Sequence, residues 1–239
     1  MEIKRDRYLN KLISFMWDGQ VKVITGIRRC GKSVMLELVK QELLDSGVGA
    51  EQFITLNFED LRNAPLCRAE ALHAEILRRA AAIPGKAYLF FDEIQEVQEW
   101  EKCVNSLRVA LDCDIYITGS NAKLLSGELV TYLGGRYVEF VIYPFSFAEF
   151  LELYRTIAPE ASGQQAFQKY LLAGGMPYLA NLRYAEEPSR QYLTDVFNSV
   201  QRKDVVKRNM VRDVDLLERI LAYVMANVGT TFSASSLSR

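Results

Sequence analysis

The sequence predicts an α/β protein, with a parallel sheet covered by helices on both faces and a helical region after it. Short apolar runs alternate with helix-like segments, and this alternation is typical of parallel sheets. The predicted strands lie near residues 21–25, 53–58, 87–92, 114–118 and 137–142. An amphipathic helix is predicted before them, from Tyr8 to Trp17. After Pro144 the strand signals stop, and helices are predicted near residues 146–155, 164–173, 187–208 and 214–228.

The loop after the first strand carries the most specific motif of the chain. Residues 26–33 read Gly-Ile-Arg-Arg-Cys-Gly-Lys-Ser and fit the pattern G-x-x-x-x-G-K-[ST]. The apolar run Val21 to Thr25 precedes the motif and the helix-like run Val34 to Leu44 follows it. This strand–loop–helix context indicates a phosphate-binding loop, and the alternative is an ordinary glycine-containing turn between a strand and a helix.

The residue types in this loop suit a purine nucleoside triphosphate. Glycines allow backbone conformations in which consecutive N–H groups point at an anion, and the helix start adds its positive end. Lys32 would reach the β- and γ-phosphates, and the Ser33 hydroxyl would coordinate a Mg²⁺ ion that bridges them. The residues predicted to bind ATP are Gly26, Arg29, Cys30, Gly31, Lys32, Ser33 and Val34.

A pair of acidic residues ends the third predicted strand. Residues 86–93 read Lys-Ala-Tyr-Leu-Phe-Phe-Asp-Glu, the pattern of a buried strand whose carboxyl end opens onto a site. Asp92 is predicted to hold the Mg²⁺ shell, and Glu93 to orient and deprotonate an attacking water. Such a base would waste ATP in a small-molecule kinase, so the pair favours hydrolysis. The alternative is that both acids cap a helix beginning near Val97.

The fourth predicted strand ends in Gly119, Ser120 and Asn121. If this strand lies between the phosphate-loop strand and the Asp92 strand, either polar side chain would hydrogen-bond the γ-phosphate or the attacking water. The sequence does not choose between Ser120 and Asn121. A close alternative makes Ser120 the N-cap of a short helix over residues 122–125.

These three segments together resemble AAA-type ATPases, within the wider group of phosphate-loop ATPases that have an additional strand and a catalytic glutamate. Four further stretches are similar to bacterial and archaeal ATP-binding proteins that join an AAA-type domain to a C-terminal domain of unknown function. They are residues 57–60 (Asn-Phe-Glu-Asp), 135–136 (Gly-Arg), 143–150 (Tyr-Pro-Phe-Ser-Phe-Ala-Glu-Phe) and 174–177 (Gly-Gly-Met-Pro). The resemblance implies the strand order 5-1-4-3-2, ATP and Mg²⁺ as ligands, and hydrolysis of ATP.

The same resemblance gives Arg136 a role, because AAA-type ATPases often carry an arginine finger immediately before the fifth strand. Such a residue would reach the site of a neighbouring subunit in a homo-oligomer. The alternatives are a local ion pair with Glu128 or Glu139, or simple exposure. The predicted catalytic residues are therefore Lys32, Glu93, Ser120, Asn121 and Arg136.

Composition excludes several classes of protein. A chain of 239 residues that is 49% hydrophobic can bury a core and is not expected to be disordered. The formal charge of −1 gives no overall basic field, so nucleic-acid binding would need a local patch. No apolar stretch approaches the ~20 residues that span a bilayer. The four cysteines lack C-x-x-C spacing and His73 is the single histidine, which predicts no metal site of these residues and a cytoplasmic location.

The domain organisation is predicted as an ATPase core over residues 1–158 and a helical lid or extension over 159–228. The family resemblance implies that residues 229–239 are the start of a truncated, winged-helix-like C-terminal domain. The turn-prone segment Pro159 to Gly163 is the predicted linker. Residues 174–177 form either a plain helix stop or a hinge. A basic stretch is either a solvated face or a contact to phosphate backbones, and it comprises Arg202, Lys203, Lys207, Arg208 and Arg212.

The function predicted from the sequence is Mg²⁺-dependent ATP binding and hydrolysis that drives a conformational change. One alternative is a binding module or slow switch that acts on DNA or a protein partner with little turnover. A second is a phosphotransferase with a small-molecule acceptor.

Overall fold

The computed structural model describes residues 3–119, 133–200 and 213–231. In these residues a five-stranded sheet has the order β2-β3-β4-β1-β5, and the strand pairs are parallel. The strands are β1 Val21–Thr25, β2 Phe53–Asn57, β3 Ala87–Asp92, β4 Cys113–Thr118 and β5 Tyr137–Val141. The predicted α/β class and the predicted order 5-1-4-3-2 are confirmed.

Helices connect β1 to β2, β2 to β3 and β3 to β4, and further helices follow β5. The α-helices are α1 Asp6–Ile13, α2 Lys32–Asp45, α3 Ala69–Ala80, α4 Trp100–Ala110, α5 Phe147–Ile157, α6 Gly163–Ala173, α7 Glu186–Val200 and α8 Val214–Ala226. Short 3-10 turns lie at Ala50–Gln52, Leu61–Leu66, Ile94–Glu96 and Pro177–Ala180.

The sheet has a separate apolar core on each face. Alternate residues of a strand point to opposite faces, so even the continuous apolar run of β3 divides into two sets. Leu89 and Phe91 pack in one cluster with residues of α3 and α4. Tyr88 and Phe90 pack in the other cluster with residues of α1 and α2. This division explains why all six residues of β3 are buried.

The first helix is shorter than the sequence predicts. The amphipathic pattern runs to Trp17, but α1 ends at Ile13. The chain then tightens, because the N–H groups of Phe15 and Met16 donate to carbonyls three residues earlier. Trp17 has a left-handed φ of 60° and its N–H donates to Asp114 Oδ2 at 3.2 Å. A tertiary contact therefore replaces the last turn of the helix.

A buried polar cluster closes the amino end of the sheet. Lys22 on β1 is fully buried, and its Nζ lies 2.5 Å from Asp114 Oδ1 on β4 and 3.0 Å from Asp18 Oδ1. The Tyr116 hydroxyl donates to the other oxygen of Asp114 at 2.8 Å. Buried charges need partners of this kind, because each ion loses its hydration. We call Lys22, Asp18, Asp114 and Tyr116 the amino-end cluster.

The segment after β5 forms a helical hairpin of α5 and α6. Both helices begin with capping boxes, Ser146 with Glu149 and Ser162 with Gln165. Aromatic side chains join them across the predicted linker, with Phe150 5.2 Å from Tyr170 between ring centroids. The chain divides into two compact units, residues 1–186 and 187–239, so that the hairpin belongs to the same unit as the sheet.

Candidate functional site

The loop from residue 26 to residue 31 links β1 to α2 and contains three residues with positive φ. Gly26, Arg29 and Gly31 have φ values of 147°, 65° and 103°, and α2 begins at Lys32. A Cβ atom on Gly26 would lie 2.2 Å from the Ile142 carbonyl oxygen, so only glycine fits there. Left-handed residues just before a helix start form the concave N–H arrangement that binds phosphate.

Lys32 is buried against its own loop. Its side chain is 4% exposed, and Nζ donates to the carbonyl oxygens of Gly26 at 3.3 Å and Ile27 at 3.2 Å. Nζ also lies 3.9 Å from Glu93 Oε1. Ser33 and Val34 follow on the first turn of α2, and both are exposed. The first turn of α2 therefore carries both the Lys32 ammonium group and the exposed hydroxyl of Ser33.

The carboxyl ends of the strands meet at this same edge of the sheet. Asn57 on β2 lies level with Asp92 on β3, and Ile24 on β1 lies level with Thr118 on β4. The structure thus brings Asp92 and Glu93 beside the loop, as parallel strands with a shared edge require.

Asp92 is held between the two neighbouring strands. It is 7% exposed. Its Oδ2 accepts a hydrogen bond from Asn57 Nδ2 at 3.0 Å, and its Oδ1 accepts one from the Thr118 hydroxyl. These bonds fix the orientation of the carboxylate in its plane.

Glu93 turns out of the strand with a left-handed φ of 54°. Its N–H donates to Thr118 Oγ1 at 3.0 Å, and its Oε2 accepts a hydrogen bond from Gln95 Nε2. Thr118 therefore connects both acidic residues through one hydroxyl. Neither acid caps the following elements with its side chain, so the capping alternative fails in the described chain.

Cys30 and the arginines of the loop have different environments. The Cys30 side chain is fully buried in the core beneath the loop. Burial raises the pKa of the Cys30 thiol, although the charges of Lys32 and Arg5 oppose that effect. Arg28 Nη1 lies 3.9 Å from Glu59 Oε1, and Arg29 is an exposed residue of the loop.

Two predicted residues at the end of β4, Ser120 and Asn121, lie outside the described residues. The condition attached to them is met, because β4 lies between β1 and β3. The N–H of Gly119 donates to Ile24 O at 3.3 Å, so the described chain reaches the end of β1. The five basic residues between 202 and 212 and Glu128 also lie outside the described residues.

Arg136 lies at the opposite end of the sheet from the loop. Its carbonyl oxygen accepts from the Val21 N–H at the start of β1, and its exposed side chain donates from Nη1 to Asn105 Oδ1 at 3.2 Å. Glu139, one of the partners considered for Arg136, instead accepts from the Thr25 hydroxyl at 2.6 Å. A strand of five residues spans about 17 Å, so Arg136 is far from the loop of its own chain.

Sequence reasoning missed Thr118 and Arg5, and it gave Asn57 no role. Thr118 looked like the last residue of an apolar strand, and its small polar side chain before Gly119 was the available signal. Arg5 lies in the charged run of residues 4–7, which reads as solvent-exposed, yet it is 5% exposed and donates to Cys30 O at 3.1 Å.

Across residues 3–119, 133–200 and 213–231, His, Cys, Asp and Glu form no group of three or more that could hold a metal ion. His73 instead lies 3.0 Å from the Ser106 hydroxyl. In the same part of the chain, no helix is both long and apolar enough to cross a bilayer.

Comparison with known proteins agrees with this geometry. Residues 18–151 match the family model described as an AAA domain, and residues 164–239 match one described as a domain of unknown function. An uncharacterized protein of Haemophilus influenzae is 38% identical over 99% of this chain and 58% of its own length. An uncharacterized protein of Methanocaldococcus jannaschii is 32% identical over 94% of this chain and 51% of its own length. The chain thus spans about half the length of these relatives.

A solved structure with a similar fold is that of AMPPCP-bound DnaA from Aquifex aeolicus. The TM-score is 0.51 at 16% sequence identity, and the match covers 97% of this chain and 72% of that one. At this identity the likeness concerns the fold alone. The family match covers more than half of the chain and includes the loop, both acids and the sheet that positions them. The chain therefore belongs to the AAA domain family of phosphate-loop proteins.

Proposed function

We propose that the chain binds ATP with Mg²⁺, hydrolyses it, and uses the cycle to change conformation. One observation carries the proposal: Lys32, Asp92 and Glu93 converge at the carboxyl edge of the sheet. Lys32 Nζ lies 3.9 Å from Glu93 Oε1, and the Thr118 hydroxyl accepts from the Glu93 backbone N–H and donates to the Asp92 carboxylate. Membership of the AAA domain family supports nucleotide binding.

The residues present fit Mg²⁺ in the way that proteins usually bind it with a nucleotide. Mg²⁺ takes hard oxygen ligands, commonly one or two from the protein and the others from phosphates and water. Ser33 offers an exposed hydroxyl at the start of α2, and Asp92 offers a carboxylate already oriented by Asn57 and Thr118. When bound, the ion would neutralise charge on the β- and γ-phosphates.

In the proposed reaction a water oxygen attacks the γ-phosphorus, and the bond from that phosphorus to the β–γ bridging oxygen breaks. ADP leaves with the bonding electrons. Glu93 accepts the proton of the attacking water, and the Lys32 ammonium stabilises negative charge on the phosphates. The N–H groups of residues 26–31 and the positive end of α2 hold the polyphosphate in place.

The resting arrangement suggests how turnover is gated. Lys32 lies between two loop carbonyls and Glu93, and Glu93 also accepts from Gln95. A bound triphosphate would compete for the Lys32 ammonium and draw it from Glu93. The carboxylate would then be released to a water, so the base becomes available only with nucleotide in the loop.

The same observation supports a second candidate function, a slow ATP-dependent switch that acts on DNA or a protein partner. If Glu93 stays paired after nucleotide binds, the loop would order around ATP with little turnover. The two candidates differ in rate, and they share the nucleotide site. The proposal has two further parts. One is a DNA or protein client, and the other is a homo-oligomer in which Arg136 reaches the site of a neighbouring subunit.

The deciding experiment measures phosphate release and ATP binding by the purified chain. We expect steady phosphate release that needs Mg²⁺ and no added acceptor, and we expect Lys32→Ala to abolish ATP binding. Lys40→Ala, on the same helix, is the matched control. Tight binding without phosphate release would favour the switch, and release only with a small-molecule acceptor would favour a phosphotransferase. Unchanged ATP affinity in Lys32→Ala would refute the site.

A further inference from the structure

Arg5 makes a buried junction beside the phosphate loop that the proposed reaction does not use. It lies just before α1 with a φ of 21°, and its side chain is 4% exposed. Two aromatic rings lie close to its guanidinium, whose central carbon is 4.6 Å from the Tyr8 ring centroid and 5.2 Å from the Phe145 ring centroid. A buried arginine costs hydration energy, so its partners indicate what it does.

One of these partners is the backbone of the loop itself. Arg5 Nη1 donates to the Cys30 carbonyl oxygen at 3.1 Å. In a planar trans peptide the C=O of one residue and the N–H of the next point in opposite directions. Because Arg5 holds the Cys30 carbonyl on its own side, the Gly31 N–H points away from Arg5. Gly31 has a φ of 103° and precedes α2, where the N–H groups of such a loop bind phosphate.

The other partners of Arg5 lie after β5. Nη2 donates to the Tyr143 carbonyl oxygen at 2.8 Å, and Nε donates to Glu149 Oε1 at 2.8 Å. Glu149 is the third residue of α5 and forms the capping box with Ser146. Burial opposes the ionisation of Glu149, but the Arg5 guanidinium and the Ser146 N–H outweigh it and keep the pKa of this carboxyl below its usual range.

We propose that Arg5 is a positioning residue for the phosphate loop, and that Glu149 holds the Arg5 side chain in place. Arg5 sets the direction of the Cys30–Gly31 peptide, and its ion pair ties that peptide to the start of α5. The planar fork of arginine serves three acceptors at once, which a lysine ammonium cannot reproduce in the same geometry. This proposal rests on the proposed nucleotide site and gives it a residue outside the motif.

The junction also continues away from the loop. The Phe145 N–H donates to Gly175 O at 2.7 Å, and the Tyr170 hydroxyl donates to Phe145 O at 2.9 Å. A Cβ atom on Gly175 would lie 2.1 Å from Phe145 O, so the two backbones are in direct contact. Ordering of the loop by nucleotide should therefore slow amide exchange in residues 143–150 and 170–176.

The test compares Arg5→Lys and Glu149→Gln with two controls. Arg7→Lys makes the same exchange at an exposed position two residues away. Tyr116→Phe removes a buried hydrogen bond in the amino-end cluster and so destabilises the same unit away from the loop. The measurements are ATP affinity by calorimetry, the KM and kcat of phosphate release, and amide hydrogen exchange with and without ATP.

We expect Arg5→Lys to raise the Kd and KM for ATP at least tenfold and to change kcat less than threefold. The Gly31 N–H would contact phosphate in both the ground state and the transition state, and loss of such uniform binding appears in KM. Glu149→Gln should act in the same direction by threefold or more, and it should abolish the ATP-dependent protection of residues 143–150. Both controls should keep the wild-type Kd.

Three results would overturn the inference. The first is wild-type ATP affinity in both variants. The second is an equal loss of affinity in Tyr116→Phe, which would show a general effect of stability. The third is wild-type protection of residues 143–150 in Glu149→Gln, which decides the matter if Arg5→Lys does not fold. Absence of ATP binding by the wild-type chain would instead refute the proposed function, and the inference with it.

Discussion

The replacement Glu93→Gln should separate ATP binding from hydrolysis at the proposed site. Glutamine keeps the size of the side chain, one oxygen that can accept from Gln95, and the backbone N–H that donates to Thr118. It removes the basic carboxylate and the negative charge 3.9 Å from Lys32. That charge would also repel a bound triphosphate, so the ATP affinity of the variant should be equal to that of the wild type or higher.

Loss of a general base slows such reactions by roughly 10²–10⁴-fold. At about 1.36 kcal/mol for each factor of ten, this corresponds to about 2.7–5.4 kcal/mol of activation free energy. Single-turnover phosphate release and titration with a fluorescent ATP analogue measure the two quantities separately. Glu99→Gln, an exposed acid after the same strand, is the matched control. Turnover of Glu93→Gln at the wild-type rate would refute the role of Glu93 as the base.

Three further predictions follow from the contacts around the site. Thr118→Val removes the hydroxyl that bonds the Asp92 carboxylate and the Glu93 N–H, so it should lower the unfolding free energy by about 1–3 kcal/mol and lower kcat at least tenfold. Thr118→Ser keeps a hydroxyl and should retain most of the stability and most of the activity. Chemical denaturation measures the stability, and phosphate release measures kcat. If Arg136 acts in the site of a neighbouring subunit, specific ATPase activity should rise with protein concentration. Mixing the inactive Arg136→Ala and Glu93→Gln variants should then restore some activity. Normal ATP hydrolysis by Arg136→Ala alone would exclude this role. Because burial raises the pKa of the Cys30 thiol, iodoacetamide should alkylate Cys30 more slowly at pH 7 than it alkylates a free cysteine. The reaction should accelerate as rising pH forms the thiolate. Peptide mass mapping measures the extent of alkylation, and rapid reaction of Cys30 at pH 7 would contradict the prediction.

The sheet and the phosphate loop were predictable because their signals are local. Each strand is a short apolar run, and the glycines, Lys32 and Ser33 lie within one stretch of eight residues. The acids at the end of β3 were predictable for the same reason. Strand order came from family resemblance, and the structure confirms it.

The supporting contacts were not predictable, because their partners are distant in the sequence. Thr118 meets Asp92 across 26 positions, and Arg5 meets Glu149 across 144. Nothing near Arg5 distinguishes it from the exposed Arg7, since both lie in one charged run. The early end of α1 has the same cause, because Asp114 receives the N–H of Trp17 from 97 positions away. Local patterns predict elements, and tertiary contacts decide which polar side chains those elements bury.

The amino-end cluster has a consequence for the opposite end of the sheet. Lys22 lies level with Tyr116, and Asp114 is on the same face of β4, so the buried ion pair specifies one alignment of β1 against β4. A slip of one residue would turn Asp114 to the other face and separate the charges. The same slip would shift Thr118 by about 3.3 Å and reverse its side chain. The ion pair therefore favours the native register of β1 and β4. A misaligned pairing that displaces Thr118 would also separate two buried charges, and this makes it less stable.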